Sequence, residues 1–180
     1  MNARMIALAL LVSHSTCAVA VETRDAGAPE LDSRITLKVD AEGKADYSGK
    51  DAKTQTRVLN ITLSNSRTDK ITGATIKWTI YGHTMAGHQL VLIKSGSMNK
   101  DLPVREPVHA ASAMVKISGI REHSVRTTSG KGRNVHVTLK KVPASGHEYY
   151  GYAVQVFDRG KLLAESYSQP SIVSAVKPKS

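Results

Sequence analysis

The chain has 180 residues, enough for one domain with a hydrophobic core of its own, and shows no internal repeat. Its 25 lysines and arginines outnumber 15 aspartates and glutamates, which gives a net charge of +10. Because Cys17 is the single cysteine, the chain cannot form an internal disulfide, and a disulfide-stabilised scaffold is excluded.

The first 20 residues predict a secretory signal peptide. A short start carries Arg4, an apolar run follows over residues 5–12, and small residues end at Ala20. The run is shorter than the roughly 20 apolar residues of a membrane span, and the residues before Cys17 lack the pattern of a lipid-attachment site. We therefore expect cleavage near Ala20 and an exported protein, periplasmic or secreted, with neither a transmembrane segment nor the cysteine.

The remaining chain predicts a single folded domain. Residues 21–33 are typical of a flexible leader, residues 34–172 of a β-sandwich, and residues 173–180 of a short basic tail. Within the domain, apolar and polar residues alternate with period two over short runs, which is the pattern of half-buried strands. The apolar sets are Ile35, Leu37 and Val39; Leu59, Ile61 and Leu63; Ile76, Trp78 and Ile80; and Val135, Val137 and Leu139.

Turn-rich segments separate these runs, among them residues 65–70, 95–101 and 128–134. No window keeps a helical period, so we expect seven or eight antiparallel strands and no substantial helix. This pattern predicts an all-β fold with the strand count of a β-sandwich, with a closed barrel as the alternative.

The most regular segment, residues 148–170, predicts a β-hairpin. Asp158, Arg159 and Gly160 supply its short turn, with glycine where a positive φ is expected. We expect its tyrosines to be core and corner residues rather than a ligand platform. Strict alternation on the first strand places Tyr150, Tyr152, Val154 and Val156 on one face and Tyr149, Gly151, Ala153, Gln155 and Phe157 on the other.

This hairpin and Trp78 resemble features of immunoglobulin-like and fibronectin-III-like domains over residues 34–170. A tyrosine near the start of the first strand resembles the tyrosine corner of strand F in those folds, and Trp78 resembles their buried strand-C tryptophan. The cysteine pair of antibody domains is absent. The segment YGYAVQVF…GKLLAE is also similar to the final hairpin of uncharacterised exported bacterial proteins, a resemblance that implies no function.

Catalytic motifs are missing from the sequence. It contains no G-x-S-x-G, no H-E-x-x-H and no glycine-rich phosphate loop. Glu106, Glu122, Glu148 and Glu165 form no evident pair for acid–base chemistry. We therefore expect a protein that is not an enzyme.

The segment with His83, Met85 and His88 is a candidate metal site. Imidazole binds copper, nickel and zinc, and a thioether adds affinity for Cu(I), so copper is the cofactor that this segment favours. The alternative is an ordinary loop in a protein without a cofactor. Residues that could join from neighbouring loops are Met98, Met114, His109 and His123.

Positive charge is concentrated between residues 109 and 147, where seven lysines and arginines accompany a single acidic residue, Glu122. Such a segment attracts polyanions, although it could also serve only to keep the surface soluble and to guard sheet edges. Nucleic acid is not an expected partner, since we expect export and the segment lacks aromatic residues for base stacking. The candidate anion contacts are Arg121, Arg126, Lys131, Arg133, Lys140 and Lys141.

These patterns favour an exported, non-catalytic interaction or accessory module. Its expected partner is an anionic envelope polymer, a lipid headgroup or another exported protein, which it meets through the basic surface. One alternative is a periplasmic copper-binding protein that uses His83, Met85 and His88. The other is a structural domain that pairs with a partner through a strand edge.

Overall fold

The computed structural model describes residues 31–48, 51–130 and 136–177. The predicted signal peptide, residues 21–30 of the predicted leader, Lys131, Arg133 and the last three residues of the tail lie outside these ranges. The described residues form β1 (Ile35–Glu42), β2 (Ala45–Ser48), β3 (Ala52–Asn65), β4 (Ile71–Thr84), β5 (Leu90–Leu102), β6 (Val108–Ala111), β7 (Val115–Ile120), β8 (His123–Ser129), β9 (His136–Val142), β10 (Ser145–Asp158), β11 (Lys161–Tyr167) and one short helix, α1 (Pro170–Val176).

The predicted all-β class is confirmed, but the expected seven or eight strands fall short of the eleven in the described residues. Two of the missed strands, β2 and β6, have four residues each, which is too few to display a period of two. The predicted turn at residues 95–101 is also wrong, because it lies inside β5. Gly96 belongs there because the ring of Trp78 covers it: a Cβ at Gly96 would lie 2.5 Å from Trp78 Cζ2.

Nine strands form one antiparallel sheet with two halves. In the first half, β1 and β2 pair with one edge of β3, while β6 and β7 pair with the other. In the second half, β10 lies between β11 and β4, and β4 pairs in turn with β5. A short pairing of β7 with β10, at Gly119–Gly146 and Ile120–Ser145, joins the two halves.

One hydrophobic core lies between these halves. Side chains from β3 and from β4 and β10 belong to the same buried cluster, although β3 pairs with neither of those strands. The halves must therefore face each other across the core. Trp78 is buried, and the apolar sets predicted on β3 and β4 are confirmed as core. The fully buried residues of these strands include Leu59, Ile61, Leu63, Ile76, Ile80, Val154 and Val156.

A β-bulge at Tyr150 interrupts the alternation of β10. Tyr149 lies opposite Gly82 while Gly151 lies opposite Tyr81, so Tyr150 has no partner of its own on β4. Tyr149 consequently packs on the main core, and Tyr150 packs on the opposite side of the sheet. The predicted face assignment of these two tyrosines is wrong, because an extra residue shifts the alternation by one.

Two other expectations for the final hairpin have clear outcomes. Arg159 (φ 47°) and Gly160 (φ 84°) form the two-residue turn between β10 and β11, as predicted. The hydroxyl of Tyr152 donates a hydrogen bond to the carbonyl oxygen of Val39, with the two oxygens 3.1 Å apart. A tyrosine corner bonds to backbone a few residues upstream, whereas Val39 precedes Tyr152 by 113 residues, so this bond connects the last hairpin to β1.

The helix α1 covers the side of β4 and β10 that faces away from the main core. Pro170 lies in its first turn, where a missing N–H is tolerated. Ile172 is fully buried and forms a second cluster with Tyr81 and Ala153. This approach depends on Gly151, since a Cβ there would lie 2.8 Å from Ile172 Cδ1. The predicted boundary between the sandwich and the basic tail, at residue 172, falls inside this helix.

Candidate interaction site

The β8–β9 hairpin, formed by residues 123–129 and 136–142, is separate from the nine-stranded sheet. Its two strands pair antiparallel with each other from His123–Val142 to Ser129–His136, and within the described residues neither pairs with another strand. Apart from His123 and Val142 at its base, every described residue of these strands is exposed. The hairpin therefore projects from the body and presents both faces to solvent.

Three large apolar side chains of this hairpin are exposed. Leu139 is 69% exposed, Val137 48% and Val125 43%. The prediction of a strand over Val137 and Leu139 is confirmed, while Val135 of the same predicted set lies outside the described residues. The prediction that this strand is half-buried is wrong. No other part of the described chain packs against either face. Alternation predicts a strand, but it does not ensure that another element packs on the apolar side chains.

The register of the hairpin places cations and apolar residues on the same face. Directly opposed residues of an antiparallel pair share a face. Arg126 lies opposite Leu139, Ser124 opposite Lys141, and Thr128 opposite Val137, so these six residues form one face. Val125 and Lys140 are opposed on the other face.

Four of the six predicted anion contacts lie on this hairpin or at its base. Arg126, Lys140 and Lys141 are exposed on the strands. Arg121 precedes β8, and its backbone N–H donates to the carbonyl oxygen of Asp51 at 2.7 Å. The remaining two, Lys131 and Arg133, lie outside the described residues.

A single ion pair accompanies the hairpin cations in the described residues. Lys141 Nζ lies 2.7 Å from Glu122 Oε1, and both side chains are more than half exposed. An exposed pair of this kind contributes little to stability, because water and salt screen it. Glu122 therefore leaves Lys141 free to exchange partners, and Arg126 and Lys140 lack a carboxylate partner among the described ion pairs.

A second group of charges lies where β3, β7 and β10 meet, next to the base of the hairpin. Lys53 donates to Glu148 across 95 residues of sequence, and the lysine side chain is largely buried. The hydrogen bond from Lys53 lowers the pKa of Glu148 despite partial burial, and the charges of Arg121 and His88 act in the same direction. This cluster has the geometry of a structural ion pair, which sequence reasoning missed because its partners lie far apart in the chain.

The proposed metal ligands lie at the end of β4 and in the following turn. The ring of His83 stacks on the ring of Tyr150 with centroids 3.9 Å apart. The ring of His88 stands edge-on to the ring of His83, with centroids 6.4 Å apart. Met85 lies against β7, since a Cβ at Gly119 would be 3.1 Å from its sulfur. No group of three or more His, Cys, Asp or Glu side chains close enough to share a metal occurs in the described residues.

The residues that could have joined these ligands lie on other parts of the fold. Met98 is opposite Ile76 in the middle of β5 and packs on the main core. The Nδ1 atom of His109 lies 3.2 Å from Thr62 Oγ1 on β3. His123 contacts the Arg121 carbonyl at the base of the hairpin, and Met114 is exposed beside β3.

Three of the four glutamates considered for catalysis each have a separate lysine partner. Glu122 contacts Lys141 and Glu148 contacts Lys53, as described above. Burial raises the pKa of Glu165, but hydrogen bonds from Lys177 and Tyr167 outweigh it and hold that pKa below its ordinary value. The Glu165 bonds attach the end of α1 to β11.

No protein-family model and no curated protein matches this chain. A solved X-ray structure, target SoR45 of the Northeast Structural Genomics Consortium, aligns with 14% identity over 67% of this chain and 87% of its own, with a TM-score of 0.35. None of the helices in the described ranges combines the length and apolar character needed to cross a membrane.

Proposed function

We propose that this protein is an exported, non-catalytic binding module that meets an anionic partner through the β8–β9 hairpin. The single observation that carries the proposal is a projecting hairpin whose described cations face solvent. From residue 123 to residue 142 the sequence has five lysines and arginines and no acidic residue. An unshielded cationic projection of this kind raises the local concentration of polyanions and steers their approach.

We further propose that the body is an immunoglobulin-like β-sandwich that serves as the scaffold for this hairpin. The facing halves of the sheet, the shared core and the buried Trp78 support that architecture. The Tyr152–Val39 bond differs from the tyrosine corner of such domains, so the support comes from layer packing rather than from that motif.

Pairing with a partner through a strand edge is an alternative function that the structure supports less well. The strand β5 pairs only with β4 in the described chain, which leaves its other edge open. However, Lys94 lies opposite Ile80 and Lys100 lies opposite Ala74, on the core side of this edge. Inward-facing charges on an edge strand discourage another strand from pairing there.

The test of the proposed function is binding to heparin, a soluble anionic glycan, by the chain and by Arg126→Ser/Lys140→Ser/Lys141→Ser. We expect the triple variant to bind roughly tenfold more weakly or worse, and the unmodified chain to lose affinity as salt increases. Equal binding by the unmodified chain and the triple variant would overturn the proposal.

A matched control separates the hairpin from net charge. Lys38, Lys70 and Lys161 are exposed cations elsewhere on the body, and changing all three to serine removes the same charge. We expect this control to retain most of its heparin binding. If both triple variants lose affinity equally, the interaction depends on total charge and not on the hairpin.

A further inference from the structure

We infer that the anionic partner of the β8–β9 hairpin is a phospholipid bilayer and that the hairpin lies in its interfacial layer. This inference rests on the proposed function and specifies its partner. It follows from apolar side chains, which a purely electrostatic site for a polymer does not require.

The exposed apolar residues are concentrated on the hairpin. Nine large apolar side chains among the described residues are exposed, and three of them, Val125, Val137 and Leu139, belong to the fourteen residues of these two strands. Single exposed apolar residues are normal on a protein surface. Val137 and Leu139 share one face of the ribbon with Arg126 and Lys141, while Val125 lies beside Lys140 on the other face, so each face combines apolar and cationic side chains.

Anionic glycans and wall polymers match the cationic side chains of the hairpin but not its apolar ones. They neutralise Arg126 and Lys141, but they provide no hydrocarbon into which Leu139 could transfer. An anionic bilayer provides both, because its headgroups are negative and the acyl region lies directly below them. Charge complementarity and apolar burial therefore favour the same partner.

The dimensions of the hairpin agree with an interfacial position. Each strand has seven residues, which at about 3.3 Å per residue gives a reach of roughly 23 Å from the body. Amphipathic elements in the interface bury their apolar side chains to a depth of about 5–10 Å. Long cationic side chains such as Lys141 can extend from that depth to the headgroups.

The same backbone excludes a membrane-spanning position. A two-stranded ribbon has two open edges, and its unpaired N–H and C=O groups have no partners in hydrocarbon. In the interfacial layer, headgroups and water can satisfy those groups. The bilayer would also stabilise the ribbon, since a lone two-stranded hairpin is only marginally stable in water.

The experiment measures sedimentation of the protein with vesicles of phosphatidylcholine alone or of phosphatidylcholine mixed with phosphatidylglycerol. Heparin binding is measured in parallel. We expect binding to the mixed vesicles only, weakened about fivefold for each cation removed from Arg126, Lys140 and Lys141. We expect Leu139→Ser to weaken vesicle binding roughly tenfold and to leave heparin binding unchanged.

Leu92→Ser is the matched apolar control. Leu92 is 59% exposed on β5, away from the hairpin, and the inference requires its variant to bind mixed vesicles like the unmodified chain. As a second measurement, Leu139→Trp should shift its fluorescence to the blue with mixed vesicles, whereas Leu92→Trp should not. Both tryptophan variants contain Trp78, so that background cancels.

The outcomes distinguish the two proposals. The membrane inference is overturned if the protein shows no preference for mixed vesicles, or if Leu139→Ser does not weaken vesicle binding. If heparin binding still depends on the hairpin cations in that case, the proposed function stays in place. Hairpin-independent binding to both heparin and mixed vesicles, or binding to neither, overturns both.

Discussion

The strands β3 and β9 have similar alternating chemistry in opposite environments. Leu59, Ile61 and Leu63 are at most 1% exposed, whereas Val137 and Leu139 are 48% and 69% exposed. The residues on β3 meet the second half of the sheet across the core, whereas no other layer of the described chain lies over the residues on β9. Alternation therefore indicates a strand, while burial depends on whether a second layer lies over its apolar face.

The largest expected difference comes from the same substitution in both regions. Leu63→Ala removes a fully buried side chain and should lower the free energy of unfolding by about 2–5 kcal/mol. Leu139→Ala should change it by no more than about 0.5 kcal/mol, because the side chain is already in water. Urea unfolding of the two variants measures this difference, and a comparable loss in both would show that the hairpin packs on the body in solution.

A smaller effect, sensitive to pH, should distinguish the partly buried Lys53–Glu148 ion pair from the exposed Glu122–Lys141 pair. Because Lys53 lowers the pKa of Glu148 in the folded protein, the stabilisation is present above the ordinary carboxyl pKa. It is lost as the pH falls through the lower, folded value. Glu148→Gln should therefore be less stable than the unmodified chain near neutral pH, and this difference should shrink in acid.

Glu122→Gln is the control for that measurement, since it removes the exposed partner of Lys141. We expect its thermal unfolding to follow that of the unmodified chain at every pH. If the stability of Glu148→Gln equals that of the unmodified chain, or differs from it by the same amount at every pH, then the Lys53–Glu148 pair does not stabilise the fold through its charge.

The smallest expected effect is that of changing His83 and His88 on binding by the hairpin. His83→Ala/His88→Ala should leave heparin and vesicle binding within about twofold, since a hairpin that binds by charge needs no bound metal. Elemental analysis of the gently purified protein accompanies this test. Near-stoichiometric copper that disappears in the double variant would replace the proposed function with that of a copper-binding protein.

The sequence predicted more of the body than of the candidate site. Strands and core residues on β3 and β4 followed from a local period of two, and the turn at Arg159–Gly160 followed from glycine at a positive φ. The basic segment was also recognisable from composition. Its form was not, because residues 123–129 lack the regular alternation that predicts a strand.

Features that depend on distant residues escaped the sequence. The bulge at Tyr150 reverses which tyrosine enters the core, and it is visible only in the register with β4. The Lys53–Glu148 pair joins residues 95 positions apart. Helix α1 has seven residues, too short to display a helical period, and is held by packing of Ile172.

By itself, the sequence determined the strands β3 and β4, their inward apolar sets and the charge of residues 121–141. These properties are local, since each depends on a residue and its near neighbours. The tertiary structure decided which apolar faces received a cover and which cations remained open to solvent. Leu63 and Leu139 occupy similar patterns, but within residues 31–48, 51–130 and 136–177 a second layer covers Leu63 and none covers Leu139.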